Sequence, residues 1–314
     1  NSHPAIQSNK MNTLKNLSCI TLISILMWGC GTQDKEEYRA EIVAYDYAFQ
    51  APDKLPSGWI TFVLNNQQAH EIHELSFARI PEGVTYSEYL DEYVGAWGIL
   101  LEEYQAGEFE RSGISARVNE LLPEWADGVE YVNARGLVSP GRSAEKTVYL
   151  APGLYAVDCW VKTEDGIIHL AAGMTRPLTI TEESANSPEP SFDNSITLQE
   201  NEIDVDWNAE TGFHSFAVWM EADSEGNPAH NNIHLIKLEE DTDLDEVNIW
   251  MDWYRVGGLR APAPADFLGG VSTYDAIPGE SATYFSLEID EPGEYAWIVQ
   301  VPEGEQLWKT FSVQ

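Results

Sequence analysis

The chain has few positive charges. Its 314 residues include 17 Lys and Arg against 52 Asp and Glu, which gives a formal net charge of −35 at pH 7. A surface of this sign repels phosphate backbones, so the composition argues against a nucleic-acid partner. We interpret the acidity as that of a soluble protein from an extracytoplasmic or salty environment, and favour this over a specific cationic partner.

The N-terminal segment lacks a hydrophobic run long enough to cross a bilayer. Its apolar run, Leu17–Trp28, has about 12 residues. It follows Met11 and Lys15 and leads into Cys30. With an upstream extension before Met11, residues 1–30 resemble a bacterial lipoprotein signal peptide. The resemblance implies that Cys30 is acylated and that lipid anchors the protein in the bacterial cell envelope, at the outer membrane or the periplasmic face. An uncleaved anchor or a signal without lipidation is the alternative.

Cysteine is scarce, with three residues in the whole chain. If Cys19 leaves with the signal peptide and Cys30 carries lipid, Cys159 is the remaining thiol, and it has no intramolecular disulfide partner. A lone thiol in an oxidising compartment is open to oxidation unless it is buried or bound to a metal.

Short apolar runs between Gly and Pro predict strands more than helices. In the first domain, which we place at residues 37–183, Gln67–Phe77 alternates and predicts a strand with His73 on its core face. Thr85–Glu103 has apolar residues at helical spacing and predicts a helical insertion whose aromatic side chains pack in the core.

A Cys, a His and a Met follow one another near the end of this domain. The stretch from Cys159 to Met174 closes with His169-Leu-Ala-Ala-Gly-Met174. Thiolate, imidazole and a weak axial thioether are the ligands of an electron-transfer copper site. Such a site requires a second His from elsewhere in the chain.

The order of these residues resembles the cupredoxin family, with the His-x-x-x-Gly-Met spacing of its plastocyanin-like members. The region 46–181 is also similar to secreted bacterial proteins with a cupredoxin-like domain and a helical insert, through pieces such as Leu122-Pro-Glu-Trp125. The resemblance implies an all-β fold, a Greek-key β-sandwich, with one copper ion. Its ligands would be His73 rather than His70, together with the three residues of the Cys-His-Met stretch: Cys159, His169 and Met174.

The spacing between Cys159 and His169 departs from the family pattern. Nine residues separate them, where simple cupredoxins have two to four. A hairpin with its turn at Thr163–Gly166 would place the two side chains opposite each other, about 4.5–5.5 Å apart at Cβ. Taken singly, Cys159 is more typical of a buried apolar residue, His73 of a hydrogen-bonded strand residue and Met174 of core filling.

The sequence after a polar linker, residues 184–191, repeats features of the first domain. Pro292-Gly-Glu-Tyr-Ala296 matches Pro152-Gly-Leu-Tyr-Ala156, and we align His234 with His73. On this alignment Val299 takes the place of Cys159. Residues 192–314 therefore predict a second cupredoxin-like sandwich, with its own helical or irregular insertion, that lacks the site.

These features predict an envelope-anchored cupredoxin-like protein that binds one copper for electron transfer or copper holding, with an unknown redox or binding partner. We expect no enzyme activity, since the pattern implies neither an open coordination position nor an acid/base pair. The alternative is a metal-free tandem β-sandwich that binds a protein or a glycan. A multicopper oxidase is disfavoured because the chain has no His-x-His pairs.

Overall fold

The computed structural model of the protein describes residues 37–132, 135–272, 278–279 and 282–314. The predicted signal peptide and the lipidation of Cys30 lie outside these ranges. Among the described residues, no helix is both long and apolar enough to cross a membrane.

Strands dominate the described ranges. In chain order they are β1 Arg39–Tyr45, β2 Ala48–Gln50, β3 Lys54–Asn65, β4 Ser76–Arg79, β5 Glu130–Val132, β6 Ser143–Leu150, β7 Gly153–Asp158, β8 Thr175–Ser184, β9 Asn194–Gln199, β10 Glu202–Asp206, β11 Gly212–Met220, β12 Asn232–Lys237, β13 Asp266–Ser272, β14 Thr283–Ile289, β15 Gly293–Ile298 and β16 Trp308–Val313. Alternating residues of β1 are buried, as in a half-buried strand. The prediction of an all-β fold is confirmed.

Helices are short and lie mainly between β4 and β5. They are α1 Tyr86–Glu88, a π-helical turn Tyr89–Val94, α2 Gly95–Gln105, α3 Ile114–Leu121 and, between β12 and β13, α4 Leu244–Met251; 3₁₀ turns cover Arg111–Gly113 and Glu124–Gly128. Thr85 and Glu88 form a capping box that starts the first helix. The predicted helical insertion is therefore confirmed.

The first half of the chain forms two facing layers. In one layer β1 runs parallel to β3, and β3 pairs antiparallel with β6. In the other, β4 lies between β5 and β7, and β7 pairs with β8. The beginning of β3 also pairs with β8, which ties the layers together. Apolar side chains between the layers, such as Ile42, Phe62 and Phe77, make the core.

The second half repeats the pairings within each of the two layers. β9 is parallel to β11, β11 pairs with β14, β12 lies between β13 and β15, and β15 pairs with β16. Equivalent tyrosines hold equivalent turns: Tyr155 donates its hydroxyl to Ala151 O at 2.9 Å, and Tyr295 donates to Glu291 O at 2.8 Å. The domain boundaries at residues 183 and 192 stay a prediction.

The two halves share a sheet and a core. β6 pairs antiparallel with β14, so the first layer of each half continues into the other. Arg142 reinforces this junction, since it donates to Asp266 at 2.6 Å and to Asp290 at 2.7 Å. Trp250 and Ile298 of the second half are part of the buried cluster that fills the first sandwich.

Two sequence-based assignments are wrong in register or extent. The strand expected over Gln67–Phe77 begins at Ser76, and the preceding residues form a loop. The equivalence follows from β7 and β15, the two strands that contain the matching Tyr-Ala pairs. His234 pairs with Ile298 of β15, and Ser76 pairs with Asp158 of β7, so His234 is equivalent to Ser76. His73 therefore corresponds to Asn231, three residues from the proposed partner. Backbone pairing sets this register, whereas the likeness of two short His-containing runs does not.

Candidate metal centre

A buried asparagine shapes the loop that carries His73. Asn66 donates through Nδ2 to Val138 O at 2.8 Å and to Glu71 O at 3.0 Å. His73 itself exchanges two backbone hydrogen bonds with Val138, at 3.1 and 2.8 Å. These main-chain bonds thus hold His73 just before β4, in a loop rather than within a strand. His70 lies exposed and hydrogen-bonds Asp46 instead.

The Cys-His-Met stretch folds back on itself as the hairpin hypothesis requires. Gly166, with φ of +88°, closes the turn predicted at Thr163–Gly166, and the Gly166 N–H donates to Thr163 O at 2.8 Å. Across the hairpin, Leu170 N–H donates to Cys159 O at 2.9 Å. The predicted turn is confirmed. The hairpin brings Cys159 and His169 together despite the nine residues between them.

Three donor atoms from separate segments converge. Cys159 Sγ lies 3.7 Å from His73 Nδ1 and 3.5 Å from His169 Nδ1, and the two Nδ1 atoms are 3.2 Å apart. All three residues are 0% exposed. Metal–nitrogen and metal–sulfur bonds of about 2.0–2.3 Å need donors separated by roughly 3–4 Å, so the spacing fits a single ion bound by two imidazoles and a thiolate.

Met174 is also fully buried, in the same cluster as Cys159. Its backbone N–H donates to His169 O at 2.8 Å, and its carbonyl accepts from Cys159 N–H at 3.3 Å. These bonds fix its Cα beside the other two residues of the stretch. Its role as a weak axial ligand stays a prediction, as do the ligand roles of His73, Cys159 and His169.

Burial sets the protonation of the three donors. It lowers the pKa of His169 to about 4 and, with the nearby His169 charge, that of His73 to about 3. Both imidazoles are therefore neutral near pH 7 and have a lone pair to offer. Burial raises the pKa of the Cys159 thiol, and the nearby Glu74 carboxylate raises it further. A metal ion must displace the thiol proton.

Sequence reasoning missed the residues that orient His169. Its Nε2 lies 2.8 Å from Glu71 Oε2, and the Tyr47 hydroxyl donates to Glu71 Oε1 at 2.9 Å. A carboxylate on Nε2 places the ring proton there and leaves Nδ1 free for a metal. No sequence pattern predicts this contact, because Tyr47, Glu71 and His169 come from three separate segments. Within the described residues, His73 Nε2 is buried and has no hydrogen-bond partner.

Among the described residues of the second half, no Cys, His or Met stands at the positions equivalent to Cys159, Met174 and His73. Strand pairing equates Cys159 with Val299, Met174 with Leu307 and His73 with Asn231. Val299 and Leu307 are buried in an apolar cluster. In the part of the chain that the structure describes, the cluster of His73, Cys159 and His169 is the one group of three or more His, Cys, Asp or Glu residues positioned to hold a metal.

Comparisons with known proteins found similar chains among solved structures alone. No family model matches the chain, and neither does any curated protein. Similar solved structures include reduced auracyanin from the photosynthetic bacterium Roseiflexus castenholzii, at 20% identity over 46% of this chain and 98% of that one, with a TM-score of 0.28. Auracyanin B has 19% identity over 46% of this chain and 88% of its own, with a TM-score of 0.27. A blue copper oxidase from Nitrosomonas europaea has 12% identity over 89% of this chain and 86% of its own, with a TM-score of 0.22. At such scores the strand pairings, and not these likenesses, establish the fold.

Proposed function

We propose that this chain is a cupredoxin-like protein that binds one copper ion for electron transfer or copper holding. The observation that carries the proposal is the convergence of His73 Nδ1, His169 Nδ1 and Cys159 Sγ in a fully buried cluster. Two imidazoles and one thiolate in a trigonal arrangement are the donor set of blue-copper sites. Met174 would supply the weak axial thioether.

The protein's own contribution would be to hold the donors still. Main-chain bonds fix His73 and Cys159 on both sides of the site, and close packing restricts rearrangement between the two oxidation states. Copper, when bound, would supply the one-electron redox change.

We infer electron transfer or storage rather than an enzyme activity. The three candidate ligands are 0% exposed, so a substrate has no direct access to the ion. Catalytic metal sites instead keep an open coordination position for water or substrate. We also propose that the N-terminal lipoprotein-like signal places the protein in the bacterial cell envelope, with a membrane anchor through Cys30 and a redox partner in the same compartment.

The test is copper loading of the mature protein, followed by visible absorption and metal analysis. One copper per chain and an intense thiolate-to-copper charge-transfer band are expected, with the band lost in Cys159→Ala. Met174→Leu should keep the band and raise the reduction potential. His70→Gln is the matched control, since His70 is exposed and bonded to Asp46. Failure of the unmodified protein to retain copper would refute the proposal.

A further inference from the structure

The residue that follows Cys159 leads away from the site into a second core. Cys159 belongs to the cluster inside the first sandwich, whereas Trp160 belongs to the cluster beneath the helical insertion. Both are buried. One peptide unit therefore connects the candidate ligand to an aromatic region outside the sandwich.

Two aromatic residues of the second half extend this connection to the surface. The Trp160 and Trp253 ring centroids are 5.9 Å apart, and Trp253 Nε1 donates to Trp160 O at 2.9 Å. The Trp253 and Tyr254 centroids are 5.3 Å apart. Tyr254 is 42% exposed. Trp160, Trp253 and Tyr254, hereafter the aromatic ladder, thus form a chain of contacting rings from the site to solvent.

A buried lysine holds the outer part of the ladder in place. Lys162 donates through Nζ to the carbonyls of Trp253, Arg255 and Gly258, at 2.6, 3.2 and 2.9 Å. These bonds fix the loop that carries Trp253 and Tyr254. The gaps between rings are therefore set by packing and main-chain bonds rather than by a mobile loop.

We propose that the aromatic ladder is an electron route between the copper site and the protein surface, completed by Trp253 and Tyr254 of the second half. The proposal rests on the proposed function. Each candidate ligand is 0% exposed, so an electron must cross protein, and tunnelling falls steeply with the width of each gap. One electron leaves reduced copper and arrives at an oxidised acceptor at Tyr254; no covalent bond changes.

A nearby cation defines how the inner ring of the ladder works. Arg135 Cζ lies 5.1 Å from the Trp160 ring centroid. Positive charge over an indole stabilises the neutral ring and disfavours its oxidation. Trp160 therefore acts as a bridge for tunnelling and does not store the oxidising equivalent. Trp253 Nε1 keeps its proton, since its acceptor is a carbonyl.

The ladder would give the site two exits. On the other side, the Tyr47 ring lies edge-on to His169 with centroids 5.4 Å apart, and Tyr47 is 40% exposed. A donor and an acceptor could then use separate exits at the same time. This arrangement assigns the second half, whose described residues form no metal-binding cluster of their own, a role in electron delivery.

The experiment places a photo-oxidant beside Tyr254. A ruthenium polypyridyl label is attached to Gly257→Cys after copper loading, since a side chain at Gly257 meets nothing within 4 Å. A flash oxidises the label by transferring one electron to a soluble acceptor. The label then takes one electron from reduced copper, and the charge-transfer band of oxidised copper appears. The readout is the rate of this intramolecular step and does not depend on any activity.

The expected result is a fast phase that Trp253→Leu abolishes and Trp253→Phe, which keeps a ring in the gap, retains. Trp219→Leu is the matched control, because Trp219 lies on β11 in the second half and contacts Phe192 instead. A wild-type rate in Trp253→Leu with an intact band overturns the route alone. Absence of the band in the unmodified protein overturns the copper function, and the route with it.

Discussion

Glu71 offers the sharpest test of the metal centre, because it touches His169 and is not a ligand itself. Its carboxylate accepts from His169 Nε2 at 2.8 Å, in a charge-assisted hydrogen bond that is about twice as strong as a neutral one. Loss of such an outer contact costs about 10- to 100-fold in metal affinity. This range corresponds to about 1.4–2.7 kcal/mol.

We therefore expect Glu71→Ala to weaken copper and zinc binding by about 10- to 100-fold, because His169 loses the partner that fixes its tautomer and ring orientation. Glu71→Gln keeps an acceptor oxygen without the charge and should fall between Glu71→Ala and the unmodified protein. The assay is a competitive titration against a chelator of known affinity, with zinc included to separate binding from redox change.

The matched control is Glu41→Ala. Glu41 is an exposed glutamate whose carboxylate accepts a hydrogen bond from Asn65 Nδ2 at 2.9 Å, and it is not in contact with the candidate ligands. It should leave metal affinity unchanged. Wild-type affinity in a folded Glu71→Ala protein would refute the reasoning that the carboxylate orients His169 for binding.

Two further predictions concern pH. His73 and His169, with pKa values of about 3 and 4, are neutral above about pH 5, whereas the thiol pKa of Cys159 is raised. Metal binding should therefore release one proton, and metal affinity should rise about tenfold per pH unit between about pH 5 and the thiol pKa. Calorimetric titration in two buffers of different ionisation enthalpy measures the proton release, and its absence would contradict the prediction. Burial lowers the pKa of His234 from 6.5 to about 3, so the unfolded metal-free chain takes up the proton first as pH falls below 6.5. Its contribution to stability is fully present above pH 6.5 and should have fallen by about 2 kcal/mol at pH 5. In urea unfolding, the free energy of unfolding of His234→Leu should fall by about 2 kcal/mol less between pH 6.5 and pH 5 than that of the unmodified protein or of His214→Leu. Identical losses in all three proteins would contradict the prediction.

Local sequence patterns predicted the hairpin of the site but not its surroundings. The Thr163–Gly166 turn lies within one short stretch, so residue types alone indicate that Cys159 and His169 face each other. The resemblance to cupredoxins supplied His73, although the strand expected around it is a loop held by Asn66. A buried amide that bonds two distant carbonyls has no sequence signature, because its partners are defined only after folding.

Contacts between residues that are distant in the sequence account for most of what the sequence did not predict. Glu71 and Tyr47 are two ordinary polar residues in the sequence, and their relation to His169 arises from packing. His234 was matched to His73 by a few similar neighbours, whereas strand pairing places it opposite Ile298. Trp253 is far from Cys159 in the sequence, yet its indole N–H donates to Trp160 O, in the residue next to the candidate ligand.

The pairing of β6 with β14 makes the first half a poor candidate for independent expression. Cutting the chain at residues 184–191 would turn β6 into an edge strand with unpaired N–H and C=O groups, a template for association with a second copy. It would also uncover apolar side chains that Trp250 and Ile298 now cover. A shortened protein of this kind should dimerise or aggregate, so the tandem arrangement also serves as protection against self-association.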